Sequence, residues 1–155
     1  MHPDHANTQW HCLPFAALTV SALQQIYAAR QIVFVVEQHC PYLDADGLDD
    51  QAWHLAAWSP THRLPLAYAR LFPPGVKYTE ASIGRVLTTD AVRGQGWGKA
   101  LVERALMQCQ VLFGACPVRI SAQAHLQHFY ESFGFQVVSE PYLEEDIPHV
   151  EMLRG

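Results

Sequence analysis

The sequence is short of charge. Asp, Glu, Lys and Arg make up 16% of its 155 residues, and acids outnumber bases 15 to 10, for a formal net charge of -5. Nucleic acid and anionic membranes are bound through a broad basic face, which a chain of this balance lacks, so no nucleic-acid or membrane partner is expected. Any anion must be held locally. Long apolar runs are missing as well: nothing approaches the ~18 residues of a membrane span, and the opening "MHPDHANTQW" has no apolar signal-peptide core. A cytoplasmic protein is the expectation. Cys12, Cys40, Cys109 and Cys116 form no CxxC pair, which argues against a zinc cluster or disulfide framework and reads as small buried hydrophobes. There are nine histidines but no HExxH, and the close pair His125 and His128 has no evident carboxylate partner, so no metal is expected. Repeats, low-complexity tracts and linkers are also absent.

What the chain has is apolar residues, 50% of the total, enough for one core in a single domain over residues 1–155. "WHCLPF" reads as a first strand. Ser21 with Gln24 has the form of a capping box, and Leu23, Ile26, Tyr27, Val33 and Phe34 continue at helical spacing to about Glu37, with a break near Arg30. An acidic loop, "CPYLDADGLDD", follows. "AWHLAAW" and "LPLAYARLF", joined by "SPTHR", read as a hairpin, and "ASIGRVLTT" as another strand. From about Gly98, helical spacing returns at Leu101, Val102, Ala105, Leu106 and Cys109. "VRISAQ" is a strand, and Leu126, Phe129, Tyr130 and Phe133 mark a shorter helix closed by Gly134. "FQVVSE" and "HVEML" form a last pair of strands around a loop with Pro141 and Pro148. This order predicts a mixed α/β domain with one central sheet.

Between "IGRVLTT" and the second helix lies "VRGQGWGKAL", with Gly94, Gly96 and Gly98 between Arg93 and Lys99. A helix N-terminus exposes unpaired N–H groups and a partial positive charge, and glycines let backbone approach an anion, so the loop has the form of a phosphate cradle. Spacing removes two kinds of cradle. A Walker A loop needs Gly five positions before the Gly-Lys pair and Ser or Thr after it, where Arg93 and Ala100 stand. A dinucleotide fingerprint from Gly94 or Gly96 needs Gly at Lys99 or Leu101. An EF-hand reading of "DADG" fails likewise, because Tyr42 and Trp53 occupy the places of Asp and Glu. What remains is Arg93-x-x-Gly96-x-Gly98, or a glycine-rich turn that does no more than enter a helix.

Arg93-x-x-Gly96-x-Gly98 resembles the pyrophosphate loop of the GNAT superfamily of N-acetyltransferases. "SAQAHLQHFYESFGF" resembles its other signature, a strand passing into a helix that carries a Tyr, here Tyr130, followed by Gly134 and Phe135. "VFVVEQHCPYLDADGLD", "AQAHLQHFY" and "IPHVEM" are similar to the ElaA-type branch, so the resemblance covers nearly the whole chain. It implies a GNAT fold: a mixed central sheet with helices on both faces, splayed between "GRVLTT" and "VRISAQ" at a slot for acetyl-CoA. It implies that the backbone of Val86, Leu87 and Thr88 pairs with the pantetheine arm. The pyrophosphate is implied to sit on Arg93, Gly94, Gln95, Gly96, Trp97, Gly98 and Lys99. Gln123 stands where many members carry an Asn that contacts the arm, and Phe129 is expected beside it.

The implied function is acetyl transfer from acetyl-CoA to a primary amine on a small molecule or peptide. A non-catalytic acyl-CoA binding or sensing domain and a plain interaction module are the alternatives. An amine attacks only when neutral, the thioester carbonyl gains negative charge, and the leaving thiolate needs a proton. An N–H near Leu87 is expected to polarise the carbonyl, and Tyr130 to protonate the thiolate. Histidine titrates near neutrality, which suits His125 and His149 as the base; Glu37, Glu80 and Glu151 are carboxylate candidates. His125 at a helix start and Glu37 at a helix end also have plain solvated readings. Asp44, Asp46, Asp49 and Asp50 either attract the acceptor's ammonium or form a solvated surface. Arg70 and Arg85, within strands, either pair internally with carboxylates or hold an acidic part of the acceptor. Exposed apolar residues near the final strands suit a homodimer.

Overall fold

The computed structural model describes residues 7–155, so the first six residues of "MHPDHANTQW" lie outside the described ones. Strands β1 (Gln9–Pro14), β2 (Trp53–Trp58), β3 (Ala67–Phe72), β4 (Ala81–Thr88), β5 (Val118–Gln123), β6 (Gln136–Val137), β7 (Tyr142–Glu144) and β8 (Ile147–Arg154) form one sheet. Its order is β1-β2-β3-β4-β5-β8-β6, with β7 on β8. Pairing is antiparallel throughout except between β4 and β5. Helices α1 (Val20–Gln31), α2 (Trp97–Phe113) and α3 (Gln127–Glu131) pack on it.

Alternation along the strands sorts the core into two layers. Leu55, Ala57, Ala67, Ala69 and Leu71 pack with Leu101, Val102 and Ala105 of α2 and Tyr130 of α3. Ala56 and Tyr68 pack on the other face with Ile26 and Ala29 of α1. Helices therefore cover both faces. β4 breaks the alternation: Tyr68 pairs with Leu87 and Arg70 with Gly84, so Arg85 and Val86 together oppose one residue of β3. This is a β-bulge, with Arg85 at a φ of 50°. A one-residue slip sends every later side chain to the opposite face. Ala81 and Ile83 accordingly face α2, whereas Leu87 faces α1. β4 and β5 pair only at Ala81 with Val118 and Ser82 with Arg119, and diverge beyond.

Two features differ from the sequence reading, the cap of α1 and a strand in the last loop, and the break in the first helix is explained. α1 is capped by Thr19, whose Oγ1 accepts the Ala22 N–H at 3.0 Å, not by a box at Ser21. Past Gln31 it widens into a π-helix over Ile32–Glu37, where Ile32, Val33, Val35 and Val36 crowd a regular helix; this is the expected break. The loop with Pro141 and Pro148 contains an additional strand, β7. Glu145 and Asp146 join it to β8 at φ of 52° and 64°, as a two-residue type I′ turn requires. The turn lacks the Asn-Gly chemistry that announces such hairpins, so the sequence does not betray it.

Candidate active site

Where β4 and β5 part, the sheet opens on a cavity of about 120 Å³. β4 contributes Ile83 to Val86 and β5 contributes Ile120 to Gln123. Phe34, Gln38 and Asp44 form one wall, the β7–β8 hairpin the other, with Leu126 and Tyr130 also lining it. The β7–β8 wall touches the acidic loop directly: the Tyr42 hydroxyl donates to Asp146 Oδ2 at 2.6 Å, and Cys40 Sγ lies 3.5 Å from the Glu145 carbonyl.

The glycine loop runs from the end of β4 into α2. Gly94 and Gly96 take φ of 77° and 82°, the left-handed region that favours glycine, and a Cβ on either would meet nothing within 4 Å. The space above them is open. The helix's first backbone bond runs from Ala100 to Gly96 at 3.2 Å, so the amides of Gly98 and Lys99 stand at an open N-terminus. Phe129 lies beneath: a Cβ on Gly98 would sit 3.7 Å from its ring. The loop is braced by Arg93, which donates from Nε and Nη2 to the Thr88 carbonyl at 3.0 and 2.8 Å and from Nη2 to Glu37 Oε1 at 2.7 Å. Glu37, a candidate base, is thus an ion-pair partner of the loop and is not among the cavity residues.

Of the other candidate bases, one faces the cavity. His149 is 7% exposed and lines it. Its Nδ1 is 2.6 Å from the Ile147 carbonyl; since a carbonyl only accepts, Nδ1 carries the hydrogen and Nε2 of the neutral ring keeps its lone pair. His125 is exposed on a turn between β5 and α3, outside the cavity. Glu80 and Glu151 both bind Arg119, at 2.9 and 3.1 Å, at the far end of the strands. The Arg119 hydrogen bond holds the Glu80 carboxyl below its ordinary range. Tyr130 lines the cavity with its ring edge-on to Phe129 and Phe135. Burial pushes its phenol up to about 12. Gln123 also lines it, its Nε2 donating to Gln38 Oε1 at 3.3 Å.

The sequence profile described as "Acetyltransferase (GNAT) domain" matches residues 73–154, the stretch holding the loop, the split and the β7–β8 hairpin. The chain is 40% identical to the protein ElaA of Escherichia coli over 148 residues, 94% of this chain and 95% of that one. Its fold matches the crystal structure of Escherichia coli ElaA with a TM-score of 0.88, covering 96% of this chain and 99% of that one. It matches an acyl-CoA N-acyltransferase from Pseudomonas aeruginosa with a TM-score of 0.91 at 46% identity, over 96% and 99% of the two chains. The chain belongs to the GNAT acetyltransferase family. Acyl transfer from CoA is the chemistry this fold supports.

In this GNAT domain three aspartates of the acidic loop are paired with arginines, while most of the loop stays exposed. Arg30 donates to Asp44 and Asp49 at 2.7 Å each, Arg70 to Asp46 at 2.7 and 2.8 Å and to Asp49 at 3.0 Å, and Arg85 to Asp44 at 2.8 Å. Arg70 and Arg85, Asp44 and Asp46 therefore neutralise one another, as the internal-pair reading of the two arginines has it. Asp50 is exposed. Burial alone would raise the Asp46 and Asp49 carboxyls, but the hydrogen bonds and charges of the arginines outweigh it and hold both below the ordinary carboxylate range. His54 ties the network to the sheet, with Nδ1 2.7 Å from the Tyr68 hydroxyl and Nε2 2.9 Å from the Asp49 carbonyl. Bulge, loop and α1 are thereby locked together. Gln38, Ser121, Glu144 and Glu145 line the cavity too, and the sequence reading missed them; only the alternation in "YLEEDIPHVEM", once taken as a hairpin, would have pointed to the last two.

Proposed function

We propose that the protein transfers an acetyl group from acetyl-CoA to a primary amine, with His149 as base and Tyr130 as acid. The observation that carries this is the single cavity that joins the split of β4 and β5 to His149 and Tyr130, beside a glycine loop that opens onto a helix N-terminus. The fit to an acyl-CoA is chemical: open amides at Gly98 and Lys99 suit a pyrophosphate, and β4 beyond Ser82 has backbone groups with no β5 partner for the arm. Thr88 is limited to its remaining capacity, since its carbonyl already accepts from Arg93. Asp44 and Arg85 of the cavity lining pair with each other, which leaves Glu144 and Glu145 as the lining carboxylates not held by an arginine and favours a cationic acceptor over an anionic one.

Bound acetyl-CoA supplies an electrophilic carbonyl and a thiol leaving group. His149 Nε2 takes one proton from the acceptor's ammonium, leaving a neutral amine free to form the C–N bond. Tyr130 gives its hydroxyl proton to the departing sulfur as the C–S bond breaks. The second nitrogen-bound proton restores Tyr130, so the products are an amide, a thiol and one proton released from His149 to solvent. A sensing domain needs no group in the place of His149. All four cysteines are free, in keeping with a cytoplasmic setting, and among the described residues no helix is long and apolar enough to cross a membrane. Exposed Val137, Val138 and Leu143 offer the apolar surface a homodimer would use. The test is thiol release from acetyl-CoA across a panel of primary amines. Release that rises with one class of amine supports the reading; tight acetyl-CoA binding with no amine-dependent release leaves a sensor.

A further inference from the structure

The surroundings of His149 come almost entirely from one hairpin. Its register sets Tyr142 opposite His149 and Glu144 opposite Ile147, so Tyr142 and Glu144 share a face with the imidazole as its direct and diagonal neighbours. Tyr142 stacks on the ring at 6.1 Å with an interplanar angle of 25°, and its hydroxyl is hydrogen-bonded to Ser121 on β5. The Ile147 carbonyl fixes Nδ1. The ring is thus held in plane and at one nitrogen, and Glu144 Oε2 lies 3.4 Å from the other, Nε2.

We propose that Glu144 is the positioning partner of His149, stabilising the charge that arrives when Nε2 takes the acceptor's proton and passing that proton to water. This rests on the amine-transfer reading, which supplies the proton. The burial difference suits the role: the His149 side chain is 9% exposed and that of Glu144 49%, so Glu144 links a ring shut off from solvent to bulk water. Neither other carboxylate of the cavity is placed for it. Asp44 is held by Arg30 and Arg85 at 2.7 and 2.8 Å, and Glu145 turns toward Cys40, its Oε2 3.9 Å from Sγ. The charged and titratable groups around the ring are Glu144 and Tyr142 on β7, Glu145 at the turn, Tyr130 on α3, and Asp44 with Arg85 across the cavity, with Lys77 and Tyr78 close enough to Glu144 to act on it through space. Of these, Glu144 is the one in ion-pair contact with it.

Glu144→Gln keeps the size of the side chain and removes its charge. A carboxylate 3.4 Å from Nε2 favours the protonated ring, so its loss moves the acid limb of the kcat/KM profile to lower pH. The plateau falls about threefold as the base weakens, and the KM for acetyl-CoA stays at the parental value. Glu144→Asp, which retains the charge at shorter reach, restores part of the shift. Nuclear magnetic resonance titration of the His149 ring supplies a readout that does not need turnover, and it moves in the same direction. An acid limb and a ring titration both unchanged in Glu144→Gln overturn the proposal. A parent that shows no amine-dependent turnover overturns the amine-transfer reading instead, and the ring titration still decides whether Glu144 governs His149.

Discussion

At the scale of single residues, Tyr130 combines packing with chemistry. A phenol pushed up to about 12 by burial is fully protonated at neutral pH, which fits a donor to a thiolate and not a base. Tyr130→Phe keeps the ring against Phe129 and Phe135 and removes the proton. Steady-state kinetics should show kcat lower by roughly 10²-fold with acetyl-CoA affinity little changed; parental turnover, where chemistry limits the rate, would return Tyr130 to a packing role. Tyr130 was legible because its distance from Gly134 and Phe135 is a local pattern. Glu144 was not, since its relation to His149 exists only through the register of β7 on β8. The ion pair of Glu37 was hidden for a related reason: its partner Arg93 is 56 positions along the chain.

Among the elements, the glycine loop and the arginine–aspartate network hold the site from two sides. Gly96 caps α2 in the left-handed region, while Gly98 lies in the helix with Phe129 beneath it. A branched side chain at 96 strains the cap by about 1–2 kcal/mol, and one at 98 crowds the open amides. Calorimetry on a folded Gly96→Val, Gly98→Val double variant should give acetyl-CoA affinity reduced at least about tenfold; parental affinity would remove the cradle. Arg30 is 0% exposed and holds Asp44 and Asp49 together. Arg30→Met leaves buried carboxylates short of a partner, so chemical denaturation should report a loss of about 3–5 kcal/mol. The acids and the arginines were each visible in the sequence. Their pairing was not, because it depends on a bulge and a π-helical turn that bring residues 14 to 41 positions apart within hydrogen-bond reach.

For the whole molecule, the ion-paired aspartates and the buried His54 set a direction of pH dependence. Asp46 and Asp49 are held below the ordinary carboxylate range by their arginines, so they stabilise the fold above the unfolded value near ~4 and that stability is lost as pH falls below it. Burial pushes the His54 imidazole down; below about 6.5 the unfolded chain gains a proton that the folded one refuses, which also weakens the fold. Urea midpoints should therefore fall from pH 7 to pH 5 through His54 and again from pH 4 to pH 2 through Asp46 and Asp49, and a midpoint constant from pH 4 to pH 2 would contradict the network's role. The mixed sheet was readable in advance from apolar periodicity, whereas the helices on both faces and the split between β4 and β5 were expected only through the resemblance of the glycine loop and the Tyr130 stretch to the GNAT superfamily. β7 was not readable, because its turn at Glu145 and Asp146 carries no glycine or asparagine; the β4 bulge was signalled only by Gly84, the residue before it within the strand.

The central claim is that an acyl group passes from CoA to an amine within the split of this sheet. Carbon-13 resonance of acetyl-CoA labelled at the carbonyl tests it most directly, followed in one tube with the amine that releases most thiol. The account predicts that the thioester signal is replaced one for one by an amide signal, and that the exchange slows sharply in Tyr130→Phe and His149→Gln. A thioester signal replaced by free acetate, or amide formation unaffected in both variants, would contradict it.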